Sequence, residues 1–331
     1  MTAAPETDQL PFLITECVVT RADRLTPSFV RVELASPDLA EFGTGGPLYD
    51  QRIKLVFPHP DGPMPQFSAT GEEPAHGWYA AWSALPERER GYMRTYTVRA
   101  LRGSGADTRL VVDLVVHGTD GHGEAGPGSR WAAEAREGSR VAIVGPRRGH
   151  HTGGIEFDPG TAARLLLAGD ETAVPAVLAT LELLPDDATG VAVLEVPDGR
   201  DAQDVAAPAG VELVWLPRDG HRVGERLHAE VLARLGHGLE ARDAAAAGAV
   251  LDAGDVEDNV WETPQFSSSG EAVDQVVAPS GETGLDDLYA WIAGESRMVT
   301  GLRRALVKDL GLDRRQVAFM GYWREGVAMR G

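Results

Sequence analysis

Cysteine is almost missing from this chain: Cys17 is the only one among 331 residues. That excludes a disulfide framework. It also excludes an iron–sulfur cluster, which takes about four thiolates. Cys17 itself lies in an alternating apolar stretch and reads as a strand residue. Long apolar runs are absent too. None approaches the roughly 20 residues of a membrane helix, so no stable membrane insertion is expected. Met1 to Gln9 is polar and acidic, without the basic and apolar regions of a secretory signal, and the cytoplasm is the expected compartment. Positive charge is scarce: 31 Lys and Arg face 50 Asp and Glu, a net charge of −19. That balance disfavours nucleic acid and anionic membranes as partners. No cluster of His, Cys and carboxylates stands at metal-ligand spacing. No G-x-G-x-x-G occurs, so a dinucleotide fingerprint is not available either. There is no internal repeat.

What remains is a chain of ordinary apolar content, 43%, long enough for two domains that each bury a core. The acids are unevenly placed. From Gly238 to Asp287 twelve acids face one base, Arg242, which leaves the rest only mildly acidic. This stretch is rich in Ala, Gly and Ser as well, a composition that offsets little ordering entropy by burial. It reads as an insertion over about 238–284, largely a mobile loop, with Asn259-Val-Trp-Glu-Thr-Pro264 as a docking patch within it.

Before it, two patterns follow one another. Phe12 to Thr20, Phe29 to Leu34, Ile53 to Phe57, Arg94 to Leu101 and Leu110 to Val116 are strand-like and separated by Pro/Gly-rich turns. They suggest a small antiparallel β-barrel over residues 10–155, with one helix from about Ser129 to Ala135. From residue 160 to 331 strands alternate with helices. The strands are Arg164–Ala168, Val191–Val196, Val211–Leu216, Leu288–Ala293 and Val317–Tyr322, and the helices Glu171–Leu184, Val223–Leu235 and Glu295–Leu310. Alternation of this kind implies an α/β domain with a parallel sheet.

Two places carry chemistry. In Arg94-Thr-Tyr-Thr-Val-Arg99, strand alternation puts Arg94 and Tyr96 on one face and Thr95 and Thr97 on the other. An arginine fork suits a pyrophosphate, and a tyrosine ring can lie on a flat heterocycle; β-forming residues with solvated arginines are the plainer reading. His117-Gly118 ends a strand, and Gly126-Pro-Gly-Ser-Arg-Trp131 opens a helix whose N-terminus offers free N–H groups to an anion. Ser129 suits either an N-cap or a phosphate ligand.

These motifs resemble the ferredoxin-reductase superfamily. Asp50-Gln-Arg-Ile-Lys-Leu-Val-Phe-Pro58, Arg94 to Arg99, Gly126 to Ala132 and Val144-Gly-Pro-Arg147 narrow the resemblance. So do Gly169-Asp-Glu-Thr-Ala-Val-Pro175, Ala293-Gly-Glu295 and Gly321-Tyr-Trp-Arg324. Seven motifs in this order, from about Phe12 to Gly326, are similar to the siderophore-interacting protein family, the bacterial ferric-siderophore reductases.

The resemblance implies an oxidoreductase with FAD on the barrel domain and NADPH or NADH on the α/β domain. Arg94, Tyr96 and Thr97 would hold the FAD diphosphate and isoalloxazine, with Arg99 nearby. His117, Gly128, Ser129 and Trp131 would line the pyrophosphate and adenine side. Gly169, Asp170 and Thr172 would receive the nicotinamide cofactor, in a turn where Asp170 or Thr172 can also cap the following helix. Lys54 and Arg324, and less directly Arg303 and Lys308, would meet an anionic ferric siderophore; each has a plainer reading as a surface cation. Hydride would pass to the flavin and single electrons to Fe(III), with no protein nucleophile or metal ligand and the chain acting as a monomer. Three alternatives stay open: reduced ferredoxin as donor, a flavin-containing siderophore-binding protein without turnover, and a general flavin reductase. Glu195 and Asp198 after the second α/β strand disfavour a 2′-phosphate whereas Arg200 favours one, so the choice of nicotinamide is undecided.

Overall fold

The structure is a computed structural model and describes residues 10–67, 74–117, 125–150, 153–235, 261–263, 266–267 and 284–327. The chain divides into two compact units, Met1–Leu25 with Phe29–Ile155, and Glu156–Arg330 with Thr26–Ser28.

The first unit is one seven-stranded antiparallel sheet. Its strands are β1 (Phe12–Arg24), β2 (Phe29–Ala35), β3 (Arg52–Phe57), β4 (Tyr92–Thr97), β5 (Ala100–Arg102), β6 (Arg109–Val115) and β7 (Arg140–Pro146). They pair in the order β4-β3-β7-β1-β2-β6-β5. In β1 and β2 every second side chain is buried, Leu13, Cys17 and Val19 on one and Val30, Val32 and Leu34 on the other. This is the pattern of strands with one face on a core. That core also takes Ile53, Leu55 and Phe57 of β3 and Leu110, Val112 and Leu114 of β6. The opposite face of β3 and β4 packs Val56 and Met93 against Trp82 of helix α1 (Pro74–Ser83).

The stretch expected as one strand, Arg94 to Leu101, is two. β4 pairs with β3, and β5, two residues on, pairs with β6 at the far edge of the sheet. Between them Val98 donates to Gln51 O and Arg99 to Val111 O, at 2.8 and 2.9 Å. The break lets one run of chain serve both edges of the sheet, which curls into a half-barrel. Strand β7 was not among the strands expected. It lies between β1 and β3, is buried on both faces, and so lacks the period of two. A helical turn, α2 (Glu87–Arg90), precedes β4, and α3 (Pro127–Glu134) follows β6.

The second unit holds β8 (Arg164–Gly169), β9 (Thr189–Val196), β10 (Gly210–Pro217), β11 (Trp261–Thr263), β12 (Phe266–Ser267), β13 (Leu288–Glu295) and β14 (Val317–Trp323). The order is β10-β9-β8-β13-β14-β11-β12; the first five are parallel, as expected, and β11 and β12 add antiparallel. Helices α4 (Val174–Leu181), α5 (Glu225–Arg234) and α6 (Ser296–Arg303) lie between them. Leu227, Val231 and Leu232 of α5 and Met298, Val299 and Leu302 of α6 recur at helical spacing. They bury against Leu166, Val193, Ile292 and Phe319 of the sheet. Six π-helical residues, Arg304–Asp309, prolong α6.

The acidic insertion is not wholly the loop expected. Trp261–Thr263, inside the expected docking patch, is a strand on the edge of β14, and the Trp261 ring stacks on Tyr322 at 6.2 Å. Backbone pairing and one aromatic contact outweigh the polar composition at that point. β12 (Phe266–Ser267) pairs beside it, and apart from these two strands and Gly284 the insertion lies outside the described residues.

Cys17 has no exposed surface, and burial pushes its thiol up to about 12, with Asp38 and Glu16 adding to the rise. In the native protein it is expected to stay unlabelled by a thiolate-selective reagent such as DTNB at pH 8 and to react at once on unfolding. Because the folded thiol titrates above its unfolded value, its contribution to stability is complete below pH 9 and is lost as pH rises from 9 towards 12. Rapid native labelling would place Cys17 outside the core.

Candidate functional site

In the first unit the two motifs meet. Register pairs Tyr92 with Phe57, Arg94 with Leu55 and Tyr96 with Ile53, so Tyr92, Arg94 and Tyr96 share the face of the main core. Helix α3 starts against this face. A Cβ on Gly128 would stand 2.2 Å from the Tyr96 hydroxyl, so the first turn of α3 approaches β4 as closely as it does because residue 128 has no side chain. Phe57 sits between the two motifs. Its ring meets Tyr96 edge-on at 5.9 Å and Trp131 at 5.0 Å. Phe57 lies in the Asp50–Pro58 motif, but only β3–β4 register and the placement of α3 give it this position.

Arg94 is half-buried, and its one hydrogen bond to a described residue is from Nη1 to Met93 O at 2.7 Å. Burial depresses its pKa while Tyr96 and Tyr92 pull it back up. No carboxylate faces it among the described residues. A guanidinium removed from water without a counter-charge is costly, and an anion supplied from outside relieves that cost. The α3 terminus adds to the same preference. Its first intrahelical bond is from Arg130 N–H to Gly126 O, so the preceding amides have no partner within the helix.

Other expected residues are placed differently. Ser129 is not the N-cap: Gly126 is, without a side-chain cap. The Ser129 Oγ instead donates to Val115 O at 3.2 Å and accepts from His117 N–H at 3.3 Å, tying α3 to the end of β6. His117 is exposed. Thr97 is buried, and Arg99 is buried with Nε 3.7 Å from Asp113. Asp113 also holds Arg31 through two bonds of 2.6 and 2.7 Å, so Arg99 belongs to a buried charge cluster. Lys54 pairs with Thr95 in register and donates to its Oγ1 at 2.7 Å. It lies on the opposite face of β3 and β4 from Arg94 and Tyr96. Burial, helped by Arg52, lowers the Lys54 ammonium pKa.

In the second unit Gly169-Asp-Glu-Thr172 lies at the carboxyl end of β8, beside that of β13, where the strand order reverses. Ligands of open α/β sheets bind at such a place. Asp170 is fully buried and accepts four bonds: from Thr172 N and Oγ1 at 2.8 and 2.5 Å, from Glu295 N at 2.7 Å and from Trp323 Nε1 at 2.8 Å. It joins β8, β13 and β14. Gly294 permits this, since its Cβ would come within 2.7 Å of the Asp170 carboxyl, and its φ is +144°. Neither Asp170 nor Thr172 caps α4, whose N-cap is Ala173 and whose first residue is Val174, not Glu171. The Asp170 turn holds those residues out of the helix.

Three more buried carboxylates stand near. Glu295 caps α6, accepting from Arg297 and Met298 N–H at 2.6 and 3.0 Å. Glu171 and Glu195 share Arg218, whose Nε is 2.9 Å from Glu195. Glu195 is therefore buried and engaged within the fold. Its carboxylate accepts from Gly224 and Leu227 N–H at 2.9 and 3.2 Å at the start of α5. Burial raises it to about 7, against those two bonds. Arg218 carried no signal in the sequence, because its partners come from two other strand ends. Arg324 follows β14 and is half-buried. Arg303 is the last residue of α6, which starts at the carboxyl end of β13, so it and Lys308 lie about 12 Å or more along the helix from that end.

An antiparallel FAD-type sheet followed by a parallel α/β unit defines a ferredoxin-reductase-like two-domain flavoprotein. The profile of the siderophore-interacting FAD-binding domain matches residues 18–150, and that of the siderophore-interacting protein family matches 162–326. The chain belongs to this family. It is similar to a siderophore utilization protein from T. fusca, whose crystal structure aligns at 29% identity and a TM-score of 0.65 over 96% of this chain and 95% of that one. The ferric vibriobactin reductase ViuB of Vibrio cholerae is 28% identical over 92% of this chain and 88% of its own. The NADPH-dependent ferric-chelate reductase of Escherichia coli is 30% identical over 64% and 74%. Uncharacterized mycobacterial relatives reach 38% identity over 62% of this chain, and the match spans 65% of their length. No helix among the described residues is long and apolar enough to cross a membrane.

Replacing Arg218 by Ala removes the cation that Glu171 and Glu195 share. Breaking a buried pair in this way is expected to cost about 3–5 kcal/mol, read from urea unfolding of the purified protein. A loss below about 1 kcal/mol would show that the two carboxylates do not depend on it.

Proposed function

We propose that the chain is an FAD-dependent ferric-siderophore reductase that takes electrons from a nicotinamide dinucleotide and releases Fe(II) from an anionic chelate. The observation that carries this is the half-buried Arg94, without a carboxylate among the described residues, on the face of β4 that Tyr96 shares and α3 closes. The residues fit a flavin dinucleotide. The Arg94 fork and the N-terminal amides of α3 suit a diphosphate, and the Tyr96 and Trp131 rings, backed by the buried Phe57, make an apolar aromatic wall. When bound, FAD supplies the conversion of a two-electron hydride into the single electrons that Fe(III) accepts.

The chain's own work is then to bind, orient and screen charge. Arg94 neutralises the diphosphate. Gly128 keeps α3 close enough for its amides to help. In the second unit the switch point between β8 and β13 supports a nicotinamide site, with Asp170 fixing the turn and not touching the dinucleotide through a free oxygen. Lys54 and Arg324 are the cations proposed for the chelate. Its ferric ion arrives as substrate, and among the described residues no cluster of His, Cys and carboxylates could hold it. The named activities of the Vibrio and Escherichia relatives support the same reading. A monomer acting in the cytoplasm is part of the proposal.

The test begins with colour: the purified protein should carry or take up FAD. Anaerobic addition of NADH or NADPH should bleach the flavin, and a ferric siderophore should restore its colour while a chromogenic Fe(II) chelator reports product. Bleaching by reduced ferredoxin alone would replace the nicotinamide donor. Retention of iron without Fe(II) release would make the protein a binder, and equal turnover of free flavin or quinone a general flavin reductase.

Two substitutions examine the site. Arg94→Ala should weaken FAD binding to the apoprotein by about tenfold to a hundredfold, the value of charge-assisted bonds worth about 1.5–3 kcal/mol. Gly128→Ala should weaken it as well, by displacing the Tyr96 ring or moving α3. Fluorescence titration of FAD measures both. Unchanged affinity in Arg94→Ala would remove the diphosphate from this face.

A further inference from the structure

The five parallel strands of the second unit run β10-β9-β8-β13-β14. A dinucleotide at the β8/β13 switch point extends its adenosine ribose towards the carboxyl end of the next strand, β9. There an acid receives a 2′-hydroxyl or an arginine receives a 2′-phosphate. The groups at that end can be read individually. Beyond Val196, the last residue of β9, come Asp198, Gly199 and Arg200, and Arg218 follows β10.

Arg200, Arg218 and Arg226 are each already paired with an acid. Arg200 directs Nε and Nη2 at the Asp198 carboxylate, with Nε 3.0 and 3.1 Å and Nη2 2.5 Å from its oxygens. Arg218 is shared by Glu171 and Glu195. Arg226 holds Asp219 at 2.6 Å and also donates to Pro217 O. Arg222 adjoins Glu225. The first charged side chain after β9 is therefore a carboxylate, and it is held in place. Asp198 accepts from Arg200 N–H at 2.9 Å at the head of the turn Gly199–Asp201, whose Asp201 carboxylate accepts from Asp198 N–H at 3.2 Å. The Arg200 bonds keep Asp198 ionised, with its pKa down at about 2.

A 2′-phosphate carries nearly two negative charges. To use Arg200 it must take that fork from Asp198 and remain beside the carboxylate it displaces. A 2′-hydroxyl asks only for an acceptor, which Asp198 is. Resting on the nicotinamide reading above, we propose that this chain uses the dinucleotide with a free 2′-hydroxyl, NADH, and that Asp198 is the residue that excludes the 2′-phosphate of NADPH.

The experiment uses the full chain loaded with FAD. Calorimetric titration with NAD+ and NADP+ is compared with anaerobic flavin bleaching by NADH and NADPH. NAD+ should bind up to about fivefold more tightly, since an exposed charge interaction is worth up to about 1 kcal/mol, and NADH should bleach faster at equal low concentration. Asp198→Ser should narrow the binding ratio by strengthening NADP+. Arg200→Gln, which leaves the carboxylate in place, should keep the preference for NAD+. Equal or tighter binding of NADP+ overturns the inference and leaves the nicotinamide reading intact. A selective loss of NADP+ binding in Arg200→Gln, or an unchanged ratio in Asp198→Ser, overturns it too. Failure of both dinucleotides to bind overturns it together with that reading.

Discussion

The approach of α3 to β4 decides where the chemistry of the first unit lies. Tyr96 stands on a strand and Gly128 on a helix, separated by about thirty residues of chain, and the tyrosine hydroxyl occupies the space a side chain at 128 would need. With that contact made, the Trp131 ring reaches Phe57, and the helix starts against the strand face that carries the half-buried Arg94. Ser129 supports the same contact from behind by bonding Val115 and His117. Its place is structural before it is anything else, because a buried hydroxyl must be hydrogen-bonded.

The second unit is organised by buried carboxylates. Asp170, Glu171, Glu195 and Glu295 are all nearly without exposed surface, which is tolerable because each is held by hydrogen-bond donors, Glu171 by Arg218. Asp170 is satisfied by two backbone amides, a hydroxyl and an indole N–H, and its reach across β8, β13 and β14 needs glycine at 294. The carboxylates of Glu195 and Glu295 accept from the first N–H groups of α5 and α6. These acids stiffen the end of the sheet at which ligands bind. Acids that look available in the sequence are therefore consumed by the fold.

Much of the architecture was legible from residue pattern. Alternation in β1 and β2 marked strands with one buried face, and strand–helix alternation after residue 160 marked the parallel sheet. The family was legible through motif order. Three things were not. Strand β7 is sandwiched between neighbours and lost the alternation that would have marked it. The split between β4 and β5 follows from sheet closure, which depends on strands far apart in sequence. Trp261 lies in an acidic, small-residue stretch whose composition argued for a loop, and its pairing with β14 depends on an edge that exists only after the sheet has formed.

The chain by itself therefore determined which local segments are strands or helices, that neither disulfides nor an iron–sulfur cluster can be present, and that an arginine, a tyrosine and a glycine-flanked helix start are available for a nucleotide. Local propensity, period and chemistry are properties of neighbouring residues and can be read in one dimension. Tertiary structure alone decided which of those groups keep a free valence. Arg94 has none of the described carboxylates, whereas Arg99, Arg200 and Arg218 are matched to Asp113, Asp198, Glu171 and Glu195. Except for the pair Asp198 and Arg200, these partners come from distant strands, and whether a buried charge is paired depends on which strands the fold makes neighbours.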